Sequence, residues 1–242
     1  MEPSKFRRLL YAISDQTAAL IRPIAKRVQM SLATDIPLER QKRALASTVE
    51  FIEEHMREVK PVDSKYDLLS QAFKQADISG NRMICEFGVF QGSTINHLAG
   101  QTQKTIFGFD SFEGLPEEWD QGLAKGHFAV SRLPEVRSNV QLIKGWFNES
   151  IPPFLAKHEG MIGFLHVDCD LYSSTRTVFD LLEPRLAPDA VIVFDEYFNF
   201  PNWKEGEHKA FEEFLARTRM ACGYIGFNCK SQQVAIRLKA VS

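Results

Sequence analysis

Seven short apolar runs divide the chain from residue 82 to its end, and segments of helical spacing fill most of the gaps between them. The turn signal Ser79-Gly80-Asn81 precedes the series. "RMICEFGVF", "TIFGFD", "VQLIKGWF", "MIGFLHVDCD" and "AVIVFDEY" are apolar at consecutive positions, where a half-buried strand would alternate. "STINHLAGQT", "ESIPPFLAKHEG", "SSTRTVFDLLEPRL" and "GEHKAFEEFLARTR" lie between runs and read as helices, and "YIGFNC" and "QQVAIRLK" close the chain as an antiparallel pair. Strands apolar on both faces, alternating with helices, predict an α/β fold whose parallel sheet is covered on both sides. A loop rich in Gly, Pro and acidic residues runs from Ser111 to about Asn139 and is a candidate lid.

The first part of the chain follows another rhythm. "KFRRLLYAISDQTAALIRPIAKRVQMSL" spaces Phe6, Leu9, Leu10 and Ile13 for one helical face, and Pro23 is expected to interrupt or restart that helix. "PLERQKRALASTVEFIEEHM" and "PVDSKYDLLSQAFKQA" predict two further helices. Residues 1–79 are therefore expected to be a helical extension or cap, and residues 80–242 the sheet-forming domain. Between Met1 and Met30 stand six basic residues (Lys5, Arg7, Arg8, Arg22, Lys26, Arg27) against two acidic ones (Glu2, Asp15). This pattern suits a solvated helix face, an interfacial helix on anionic lipid, or a dimer contact that also caps a site.

Composition narrows the classes. The chain has 242 residues, 44% hydrophobic and 25% charged, with a formal net charge of -2, so no global field points to nucleic acid. Cys85, Cys169, Cys222 and Cys229 form no C-x-x-C pair, so a zinc or thioredoxin-type site is not expected, and reduced thiols in a cytoplasmic protein are the simplest expectation. Neither a signal-peptide pattern nor an apolar run of membrane-spanning length is present.

Ligands of parallel sheets bind at the carboxyl ends of the strands, where strand order reverses. Glu86, Asp110, Asp168, Asp195 and Glu196 each close an apolar run. "CEFGVFQGST" sets Glu86 before Gly88 and Gly92, with Ser93 and Thr94 opening a helix. Its spacing is E-x-G-x-x-x-G, with Phe90 where a dinucleotide fingerprint carries glycine, which weighs against a nicotinamide cofactor. Asp110 lies 22 positions beyond Gly88, a distance that suits a carboxylate accepting ribose hydroxyls. Together these features favour S-adenosylmethionine, whose ammonium group Glu86 would meet; the alternative for Glu86 is a strand-end acid capping the next helix. Gly145 and Trp146 fall at the next strand end, where the indole could cover an adenine ring or simply pack under a helix.

"EFGVFQGSTINHLA", "GFDSFEGLPEEW", "KGWFNESIP", "HVDCDLYSST" and "VIVFDEY", in this order, resemble the macrocin O-methyltransferase family over roughly residues 80 to 238. The resemblance implies a class I S-adenosylmethionine-dependent methyltransferase acting on hydroxyls of sugars or natural products. It implies a Rossmann-like, seven-stranded, mostly parallel sheet with helices on both faces and an antiparallel C-terminal hairpin. It also implies a divalent metal, usually magnesium, held here by Asp168, Asp195 and Glu196. Ser111, in "FDSFEGLP", joins Glu86, Gly88, Gly92, Ser93, Thr94, Asp110, Gly145, Trp146 and Asp168 as an expected cofactor-site residue.

This chain departs from the family pattern in two ways. Relatives carry a second aspartate where Glu196 stands, and Leu171 and Tyr172 follow the fourth-strand aspartates where catechol-type enzymes place a lysine base. The expected base is therefore Asp168 or a histidine. His166 shares the face of Asp168 in an extended strand and is either a catalytic neighbour or a satisfied core residue. His127, His208, Tyr172, Tyr197, Phe198 and Trp203 could border the acceptor pocket or serve packing. The partners expected are a small-molecule hydroxyl acceptor and a second copy of the chain in a homodimer or larger homo-oligomer. Competing readings are a metal-independent methyltransferase of the same fold and a non-catalytic binding protein.

Overall fold

A computed structural model describes residues 21–119 and 122–240. Contacts divide the chain into two compact units, one reaching to Arg43 and the other starting at Ala44. In the first, residues 21–33 are helical (α1), with Pro23 in the first described turn. The periodic face at Phe6, Leu9, Leu10 and Ile13 lies outside the described residues. Helix α2 (Ile36–His55) begins after Asp35, whose Oδ1 accepts the Leu38 N–H at 3.0 Å, the usual way of satisfying an orphan donor in a first turn.

The second unit contains one sheet. Its strands are β1 (Pro61–Val62), β2 (Met83–Phe87), β3 (Ile106–Asp110), β4 (Val140–Lys144), β5 (Ile162–Val167), β6 (Leu186–Phe194), β7 (Ala221–Asn228) and β8 (Val234–Lys239). Their spatial order is β1-β7-β8-β6-β5-β2-β3-β4. Strands β2 to β6 pair in parallel, and β8 runs antiparallel to both β6 and β7. Among the described residues eight strands are present where seven were expected. The addition is β1, which pairs in parallel with β7 at the sheet edge, a position that tolerates Pro61 because an edge leaves one row of donors unused. The unit that starts at Ala44 thus includes β1 and α3 (Lys65–Gln75), which the sequence pattern assigned to the extension ending at residue 79.

Alternate residues of the buried strands supply two cores. Ile84, Ile106, Phe164, Val191 and Val193 face helices α3 and α4 (Ser93–Ala99) through Leu68, Leu69, Phe73, Ile95 and Leu98. Cys85, Phe107, Leu165, Ile192 and Phe194 face the other side, with Ile151, Phe154, Val178, Phe179, Phe211 and Phe214. Those partners come from α5 (Phe147–Lys157), α6 (Tyr172–Leu182) and α7 (Glu207–Thr218). Burial on both faces explains why the strands read as unbroken apolar runs. Each such side chain contributes about 1.5–3 kcal/mol relative to an exposed one.

Candidate active site

Strand order reverses between β2 and β5: the chain steps outward from β2 to β3 and β4, then returns to β5 and β6 on the other side. The carboxyl ends of these strands open into a cavity of about 590 Å³. Gly88 turns the chain there with φ +92°, and a Cβ at this position would stand 1.6 Å from the Asp168 carbonyl oxygen. No other residue fits that crossing without moving backbone. Asp110, the last residue of β3, locks the same turn: Oδ2 accepts the Val89 and Phe90 N–H groups at 2.8 Å each, and Oδ1 accepts the Phe112 N–H at 2.6 Å. Three accepted bonds leave a carboxylate with lone-pair capacity for a ligand hydroxyl.

Of the residues expected at a cofactor, Gly88, Ser93, Thr94, Asp110, Ser111, Trp146 and Asp168 line the cavity, as do the expected metal ligands Asp195 and Glu196. Glu86, Gly92, Gly145 and His166 do not. Glu86 and His166 are fully buried neighbours in register on β2 and β5. Glu86 Oε2 meets His166 Nδ1 at 2.9 Å, and Oε1 accepts the Thr94 hydroxyl at 2.9 Å. A carboxylate with both oxygens engaged below the floor has no face for a ligand ammonium group; it pins the first turn of α4 to the sheet. Gly92 precedes that helix with φ +79°.

Above this pair the strand ends gather their acids. Asp168 follows β5, and its N–H bonds the Phe87 carbonyl at 2.8 Å; Asp195 follows β6 and bonds the Val167 carbonyl at 2.9 Å. One ligand atom each of His166, Asp168 and Asp195 falls within a 4.8 Å group, and so do single atoms of Asp168, Asp170 and Glu196. Asp170 joins because its backbone is left-handed, φ +64°, which reverses the chain just past the strand. Glu207, fully buried on α7, lies behind and accepts the Glu196 N–H at 3.1 Å. Lys65 Nζ approaches Asp195 Oδ2 at 3.5 Å from the start of α3.

So many buried carboxylates cannot all ionise unassisted. Burial and then the charge of Asp195 push Asp168 and Glu196 well above the ordinary carboxylate range, and the same two causes bring Asp170 to about 7. Asp195 keeps its charge: although burial opposes it, His166 and Lys65 hold it at about 2. Burial likewise opposes charge on His166, but Asp195 and Glu86 push its imidazole up to about 10. Asp195 Oδ1 and Glu196 Oε2 are buried without a hydrogen-bond partner. An all-carboxylate set with unpartnered oxygens fits a hard divalent cation such as magnesium.

Two further groups of cavity residues carry little sequence signal. Lys65 is 103 positions from Asp168 (168 − 65) and has no motif of its own. Phe90 and Phe128 face each other across the cavity edge, ring centroids 5.3 Å apart, both with left-handed backbone (φ +47° and +69°). Bulky residues seldom adopt that conformation, and such strain gathers at functional sites. The loop after β3 covers the cavity through Leu115, which clusters with Trp119 and Leu171, while Glu117 accepts the Ser173 hydroxyl. His127 stacks edge-on against Phe128. Tyr197, Phe198, Trp203 and His208 lie outside the lining; Tyr197, Trp203 and His208 pack around Phe51, and Phe198 packs against Tyr197 and Phe227.

Residues 85–197 match the family model described as methyltransferase domain. The chain is similar to the 8-demethyl-8-(2,3-dimethoxy-alpha-L-rhamnosyl)-tetracenomycin-C 4'-O-methyltransferase of Streptomyces olivaceus, 28% identical over 47% of this chain and 52% of that protein. It is also similar to the demethyldecarbamoylnovobiocin O-methyltransferase of Streptomyces niveus, 26% identical over 60% of this chain and 63% of that one. The chain thus spans about half of the first relative and under two thirds of the second. Among solved structures, the calicheamicin methyltransferase CalS11 shares the fold, with a TM-score of 0.56 over 88% of this chain and 90% of its own at 22% identity. No described helix is long and apolar enough to cross a membrane. The matched stretch runs from β2 to just past the acid cluster, so over these residues the chain resembles a methyltransferase domain, and its sheet shares the fold of the calicheamicin enzyme.

Proposed function

We propose that this chain is an S-adenosylmethionine-dependent O-methyltransferase that methylates a hydroxyl of a small molecule, a sugar or natural-product intermediate, with a divalent cation, Mg²⁺, beside the reacting groups. The observation that carries this reading is the meeting of Asp168, Asp170, Asp195 and Glu196 next to the Gly88 turn in one cavity. The two relatives, the tetracenomycin-C and novobiocin O-methyltransferases, support the reaction class.

In this reading Gly88, Ser93, Thr94, Asp110, Ser111 and Trp146 would hold the cofactor, Asp110 offering a carboxylate to ribose hydroxyls and Trp146 an aromatic face to the adenine. Glu86, Gly92 and Gly145 support that wall from behind. Asp168, Asp195 and Glu196 would hold the cation, with Asp170 beside them. When bound, the cofactor supplies an electrophilic methyl group, and the cation lowers the pKa of an acceptor hydroxyl. Asp168, ionised when a cation offsets the neighbouring charge of Asp195, would receive the hydroxyl proton. Leu115 and Phe128 keep water from the reacting oxygen. His166 acts on the site through Asp195, 3.9 Å from its Nε2.

The metal-independent alternative draws on Lys65, whose ammonium already meets Asp195. Calorimetry with S-adenosylhomocysteine, with and without Mg²⁺, separates these readings. Absence of binding removes the methyltransferase reading, and turnover unaffected by a chelator removes the cation. Assembly as a homodimer or larger homo-oligomer belongs to the same proposal; sedimentation of a monomer at micromolar concentration would exclude it.

A further inference from the structure

Lys65 is the one basic side chain among the described residues lining the cavity, against five acids: Asp110, Asp168, Asp170, Asp195 and Glu196. It comes from outside the strand ends. Ser64 caps α3 by accepting the Tyr66 N–H at 3.2 Å, which fixes Lys65 as the first helical residue. From there its Nζ reaches Asp195 Oδ2 at 3.5 Å. The other Asp195 oxygen, Oδ1, faces His166 Nε2 at 3.9 Å without a hydrogen bond, and Glu196 Oε2 is buried without a hydrogen-bond partner. Lys65 keeps about a third of its side chain exposed, whereas Asp195 is nearly closed off, so the cation can withdraw toward solvent and the carboxylate cannot. A flexible ammonium held beside a rigid acid is a charge that another cation can displace.

We propose that Lys65 is a positioning residue, a tethered counter-cation that holds Asp195 in place without metal and competes with a divalent ion for the acid cluster. It rests on the reading of that cluster as a cation site. The ammonium keeps the cluster preformed and at the same time weakens the site for a dication, since two like charges near one carboxylate repel. Lys65 thus sets how readily the cation exchanges.

Mn²⁺ binding, followed by the loss of its free-ion paramagnetic resonance signal, tests this on the full chain. Lys65→Met removes the charge at similar length and is expected to tighten Mn²⁺ binding by about tenfold or more. Lys65→Arg keeps the charge and should bind like the parent. In EDTA, Lys65→Met should also melt at lower temperature than the parent, with the difference closing on addition of Mn²⁺. Binding to Lys65→Met that is unchanged or weaker, while the parent binds, overturns the role of Lys65 alone. No Mn²⁺ bound by parent or variants overturns the cation site itself, and the proposal with it.

Discussion

The peptide backbones of Gly88 and Asp168 cross so closely that a Cβ on the glycine would stand 1.6 Å from the aspartate's carbonyl oxygen. The turn that shapes one wall of the cavity and the residue that leads the acid cluster are therefore one mechanical unit. Gly88→Ala forces one chain to move and also strains φ at +92°. It should cost more than about 3 kcal/mol in urea unfolding and abolish S-adenosylhomocysteine binding. A variant of parental stability and affinity would show that the two loops do not need this contact.

Asp168→Asn preserves volume and removes both the base and one acidic oxygen. Turnover should fall by about 10²–10⁴-fold, while S-adenosylhomocysteine affinity stays within a few-fold. Measuring both on one preparation separates catalysis from binding. Full turnover would take Asp168 out of its assigned role.

Glu86 and His166 form a pair sealed from solvent, 2.9 Å apart. Glu86→Ala leaves His166 Nδ1 and the Thr94 hydroxyl without their buried partner and should destabilise the domain by about 3–5 kcal/mol. Glu86→Gln keeps hydrogen-bonding atoms toward Thr94 and His166 and should lose much less. Denaturant midpoints for the two variants give the comparison; equal losses would mean that shape, not pairing, matters here.

His208 sits among Phe51, Tyr197 and Trp203, with Nε2 buried and unpartnered. Burial lowers its pKa to about 4. The unfolded chain therefore takes up a proton near pH 6.5 that the folded chain refuses until about pH 4. This contribution is intact above about pH 6.5 and is lost as the pH falls toward 4, by roughly 2–3 kcal/mol. His208→Phe should flatten that part of the stability profile in calorimetric melts from pH 4 to 7. Parallel profiles for the two proteins would contradict the assignment.

Ser173 on α6 donates to Glu117 in the loop after β3, at the cavity rim. Ser173→Ala should loosen that loop with a stability change below about 1 kcal/mol, seen as faster amide exchange over the described residues 112–119. The acceptor KM should rise more than the cofactor KM. Unchanged exchange in the loop would leave the contact without a role in closure.

Much of this was legible before any coordinates. Strands buried on both faces must be apolar at every position, so β2 and β5 could be read as runs and their parallel pairing inferred. The acids closing those runs were legible for the same reason: strand ends in such a sheet are where polar groups can meet a ligand. Strand β1 was not, because two residues carry no periodicity, and Pro61 reads as a helix flank until β7 lies beside it.

The sequence by itself determined which residues stand at the strand ends, since that depends only on local pattern and chain order. Which of them face the ligand was decided by the tertiary structure. Glu86 and Asp168 look alike in sequence, yet register with His166 draws Glu86 under the floor, while Asp168, one step past its strand, enters the cavity. Asp170 joins the cluster because its backbone turns left-handed, and Lys65 arrives from a helix 103 positions earlier (168 − 65). Charge acts through space, and only the packed chain says which charges are near.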